Sequence, residues 1–80
     1  MNESAKPSRM MTVAHVREHE DRDYYEVMFL ESARFYRLPK TNAAFDDIVV
    51  TLRRAKDVGH AVRVILNAVN GEVIEDVQAD

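Results

Sequence analysis

Apolar residues recur at helical spacing over one long stretch, Thr41 to His60, and at alternate positions through much of the remaining chain. In TNAAFDDIVVTLRRAKDVGH, Phe45, Ile48, Val49, Leu52 and Ala55 fall on one stripe, which predicts an amphipathic helix with a face to bury. Thr41 or Asn42 can accept a hydrogen bond from the free N–H groups of the first turn. Asp46 and Asp47 lie near the positive end of the helix dipole, and Arg53, Arg54 and Lys56 near the negative end. Gly59 is the expected stop.

Tyr24 to Leu30 alternates with a period of two and predicts a strand, with Tyr25, Val27 and Phe29 on a wholly apolar core face. Its other face, Tyr24, Glu26, Met28 and Leu30, is mostly apolar too, which predicts cover from another element or another subunit. Glu31 and Ser32 mark a reversal or bulge. Ala33 to Leu38 then forms a strand ended by Pro39, with Phe35 and Tyr36 on opposite faces. Met11 to Glu18 is read as a strand on β propensity, the alternative being a short helix that groups Met10, Val13 and Ala14. Residues 1–10, polar and broken by Pro7, read as a disordered tail, and HEDRD at His19 to Asp23 as a solvated turn.

Beyond the helix, Ala61 to Val69 reads as a buried strand and Glu72 to Gln78 as its return, joined at Asn70-Gly71 by a type I′ turn. A two-residue loop sets Val64 opposite Val77 and Ile65 opposite Asp76, but also Leu66 opposite Glu75. A bulge near Ile74 or a longer loop would relieve that mismatch.

The order β-β-β-α-β-β gives an α+β fold in a single domain over residues 11–80, an antiparallel sheet with one helix packed on it. In element order alone the chain resembles the OB-fold. That resemblance implies a five-stranded barrel and, through it, binding of single-stranded nucleic acid.

With 80 residues there is room for one small core, and no cysteine is present to staple it. Self-association, as a homodimer, is the expected reinforcement. A net charge of −3 argues against a general attraction to nucleic acid or anionic membrane. With no signal-like or membrane-length apolar run, a soluble cytoplasmic protein is expected.

Candidate chemistry is sparse. His15-Val16-Arg17-Glu18-His19 fits the H-x-x-E-H pattern of inverted zinc peptidases. On a strand, however, the two histidines stand roughly 13 Å apart, so a polar strand end is the preferred reading. His60 has no Ser or Cys partner nearby in sequence. Asp46 and Asp47 diverge on a helix, as Glu75 and Asp76 do on a strand. Both glycines, Gly59 and Gly71, are assigned to backbone turns, which leaves no phosphate loop. No catalytic residue, metal or other cofactor is expected.

The expected function is therefore a non-enzymatic protein-interaction module that self-associates through Tyr24, Met28, Leu30 and Val50. The alternative uses Tyr24, Tyr36 and Phe35 as base platforms, with Arg34, Arg37, Lys40 and Arg63 on phosphates. Against it stand the six acids between Glu18 and Glu31.

Overall fold

In the computed structural model, which describes residues 6–79, the chain forms β1 (Ser8–Arg17), β2 (Tyr24–Phe29), β3 (Phe35–Pro39), α1 (Phe45–Val58), β4 (Ala61–Leu66) and β5 (Ile74–Ala79). The strands make one five-stranded sheet in the order β3-β2-β1-β4-β5, with every ladder antiparallel. This is the expected α+β class. The sheet does not close into a barrel. Its edge strands approach at a single parallel bridge, Arg37 with Val73, where the Arg37 N–H donates to the Glu72 carbonyl at 2.7 Å.

The expected strand at Met11 to Glu18 is present as far as Arg17, and β1 starts earlier than the sequence suggests. Ser8 pairs with Ile65 and Met10 with Arg63, so residues 8–10 belong to the sheet and not to a tail. Pro7 also joins it, its carbonyl accepting from the Leu66 N–H at 2.9 Å, and Lys6 pairs with Glu75; residues 1–5 of the expected tail lie outside the described residues. β1 is central: its first half pairs with β4 and its second half with β2. A bulge at Ala14 shifts the alternation by one residue, so that Met11 and Val13, then Val16, face the core while His15 and Arg17 face out.

The helix lies against β1, β4 and β5, burying Ile48, Leu52 and Ala55, with Phe45 and Val49 packed at the margin. Its C-terminus is as expected. Gly59 adopts φ 75°, its N–H donates to the Ala55 carbonyl at 2.8 Å, and the His60 N–H reaches the same carbonyl at 3.0 Å. Its N-terminus differs, because the cap position is Ala44, with no side-chain cap. Asn42 acts two residues earlier, where its Oδ1 accepts from the Ala44 N–H at 2.8 Å and its Nδ2 donates to the Glu75 carbonyl at 2.9 Å. Asn42 thus ties the helix entry to β5.

The β4–β5 connection corrects the two-residue turn. Asn70 has φ 62°, but Gly71 is not in the left-handed region, and type I′ geometry needs both. Residues 67–73 form a longer loop closed on Asn67, whose N–H donates to the Val73 carbonyl at 3.0 Å. A Cβ on Gly71 would lie 2.2 Å from Asn67 Oδ1, so close approach, not positive φ, requires glycine there. Val64 pairs with Val77 and Ile65 with Asp76 as expected; a bulge then skips Glu75 and sets Leu66 opposite Ile74. Both of these are buried, which removes the mismatch of Leu66 against a carboxylate.

Candidate functional site

Alternation along β2 and β3 sends Val27, Phe29, Tyr36 and Leu38 into the core and leaves Tyr24, Glu26, Met28, Phe35 and Arg37 on the opposite, outer face. The register aligns them in rows across β1, β2 and β3. His15, Met28 and Phe35 form one row, Arg17, Glu26 and Arg37 the next, and Tyr24 lies opposite Pro39. Phe35, the first residue of the edge strand β3, is 50% exposed. Two guanidinium groups approach the Tyr24 ring, Arg37 at 5.4 Å and Arg22 at 5.9 Å from its centroid. Arg22 Nη1 also donates to the Tyr24 hydroxyl at 2.7 Å, which holds the Arg22 pKa above its ordinary value.

Glu26 is the acid in the middle of this face. His19 Nε2 lies 2.8 Å from its Oε1, and that hydrogen bond, ahead of the charges of Arg17 and Arg22, keeps the Glu26 carboxyl below the usual range. His19 itself is positioned by Lys40, whose Nζ donates to the His19 carbonyl at 2.7 Å. The remaining acids of the Glu18–Glu31 run lie elsewhere. Glu18 pairs with Arg53 on the helix, and Glu20, Asp21 and Asp23 are in the β1–β2 loop. Glu31 accepts from the Thr12 N–H and hydroxyl, each at 2.7 Å, which lowers its pKa.

Among the residues expected at a contact surface, Tyr24, Met28 and Arg37 therefore come together. Tyr36 does not: it is fully buried, its ring edge-to-face with Phe29 at 5.4 Å, so it cannot serve as a platform. Phe35, its neighbour, takes the exposed place. Leu30, 70% exposed, lies just past the end of β2, and Val50 is exposed on the helix, away from the sheet rows. Arg34 reaches the β4–β5 loop, donating to the Asn70 carbonyl at 2.9 Å, and Arg63 is on β4. Arg17, Arg22 and His19 belong to the face and were not foreseen. The bulge at Ala14 that turns Arg17 outward has no mark in the sequence.

The H-x-x-E-H segment is strand and turn, not helix, so His15 and His19 lack the spacing of helical metal ligands. Among the described residues no group of three or more His, Cys, Asp and Glu side chains is arranged to hold a metal. His60 borders a cavity of about 430 Å³ between the end of α1 and the start of β4, with Thr51, Arg54 and Val58. The Thr51 hydroxyl donates to the Asp47 carbonyl at 2.9 Å, which occupies the one hydroxyl side chain on that wall. No described helix is long and apolar enough to cross a membrane. No protein-family model, curated protein or solved structure matches this chain.

Proposed function

We propose that the protein is a small non-enzymatic interaction module whose contact surface is the outer face of β1, β2 and β3. One observation carries the reading: Phe35, the first residue of β3, stands half exposed on this face, in one row with Met28 and next to the row of Arg17 and Arg37. Aromatic residues, Met and Arg are the types enriched where proteins bind. The core is complete without Phe35, since Tyr36 and Phe29 fill the other side of the same strands. A likeness to the OB-fold supports the placement. The sheet is open, but its strand order, with one parallel bridge between β3 and the residue before β5, resembles that of a partly open Greek-key barrel, a class that binds ligands on its β2–β3 face.

The test is a lysine at Phe35. If the ring is there for a partner, Phe35→Lys melts at the wild-type temperature, and any association of the chain with itself or with other molecules weakens. A loss of stability as large as that of a core substitution would mean the ring serves the fold, and the reading would fail. Light scattering at tens of micromolar reads the self-association directly. Mass that rises with concentration, and does so less in Phe35→Lys, is expected if the occupant is a second copy.

A further inference from the structure

The composition of the outer face also bears on what occupies it, and this step rests on the reading above. Two guanidinium groups, Arg17 and Arg37, flank Glu26 in one cross-strand row, and the Glu26 carboxylate is already engaged by His19. The adjacent row offers Phe35, half exposed, next to Met28. The ring of Tyr24 is taken up by Arg22 and Arg37, so Phe35 is the available stacking plane. The acids Glu20, Asp21 and Asp23 lie in the β1–β2 loop at the Tyr24 end; of the acids nearer Phe35, Glu31 is engaged by Thr12 and Glu72 lies 4.0 Å from Arg34.

A second copy docked face to face would gather two sets of Arg17 and Arg37 into one interface, where each Glu26 is already engaged by its own His19. A ligand that alternates negative charge with flat apolar surface has no such conflict. We propose that the outer face binds a single strand of nucleic acid, with one base stacked on Phe35 and the adjoining phosphates held by Arg17 and Arg37. A duplex offers no free base to stack, so unpaired strands are preferred.

Fluorescence anisotropy with short labelled oligo(dT) and oligo(U) strands tests this at low salt, with a blunt duplex and polyglutamate as competing polyanions. Binding to the single strands is expected, stronger than to either competitor. Two or three phosphate contacts predict that a tenfold rise in salt weakens it about 25- to 100-fold. Phe35→Ala should weaken it about 5-fold or more while Phe35→Trp preserves it. Arg37→Ala should lower the slope of log affinity against log salt by about 0.7. Arg54→Ala, on the helix, should change nothing.

Absence of binding at low salt overturns the proposal. So does equal affinity for duplex or polyglutamate, or indifference to Phe35→Ala in a folded variant. If no oligonucleotide binds but light scattering finds an oligomer lost in Phe35→Lys, the occupant is a second copy; the inference then falls while the contact face stands.

Discussion

In the β2–β3 hairpin the register runs unbroken from Tyr24–Pro39 to Met28–Phe35, and its core face is filled, yet Phe35 stays half exposed on the other side. In the β4–β5 hairpin the outer face carries the pairs Arg63–Gln78 and Ile65–Asp76, and the ladder is interrupted by a bulge and a long loop. Packing accounts for the second set of departures, because the bulge at Glu75 keeps both Leu66 and Ile74 in the core. It does not account for the first. The regular ribbon, with its half-exposed aromatic, is the one our proposal assigns to a ligand, whereas the irregular ribbon with a more polar outer face reflects the needs of its own core.

The largest expected break in this contrast comes from exchanging the two sides of β3. Tyr36→Ala removes a fully buried ring and should cost about 3–5 kcal/mol, a large part of the stability of a domain this small. Its near-ultraviolet circular dichroism should be largely lost at room temperature. In the β4–β5 hairpin, Gly71→Ala drives a methyl group into Asn67 and should cost about 1–3 kcal/mol by urea denaturation. Gly59→Ala has open space around it and should lose only about 1 kcal/mol, through its positive φ. If Gly71→Ala proved neutral, the loop would not be held by Asn67.

Phe35→Ala should stay within about 0.5 kcal/mol of wild type in the same assay, one residue from a substitution that unfolds the protein. The last effect concerns acid. Glu31 has a folded pKa lowered by its bonds to Thr12, so its contribution is full above the ordinary value of 4.5 and lost as pH falls through the folded value. Urea midpoints measured from neutral to acidic pH should therefore decline less steeply below that value in Glu31→Gln. An identical decline would assign the acid sensitivity elsewhere.

The helix was legible because its stripe, charged ends and Gly59 stop are local properties that no partner alters. The strands were legible as elements, since period-two alternation is local as well. Their phase was not, because the bulges at Ala14 and Glu75 are set by the strand across the ladder. The choice between Phe35 and Tyr36 was readable in principle. Adjacent strand residues cannot share a face, so an outward Arg37 forces Tyr36 inward with Leu38 and leaves Phe35 outside. The six acids looked like a barrier along the groove strands, but only Glu26 lies within a strand; five are drawn off by loops, by the helix and by Thr12. That dispersal depends on tertiary structure.

The central position of β1 bears on how the chain comes together in time. Its pairing of Ser8 with Ile65 spans more than two thirds of the sequence, whereas β2 and β3 meet across a short loop. Contacts of such separation form late and slowly. On a ribosome the β2–β3 hairpin and the second half of β1 can assemble while β4 is still unsynthesised. Until β4 arrives, Ser8 to Thr12 lack their ladder partner, and that segment is where a nascent chain would be most open to pairing with the wrong strand.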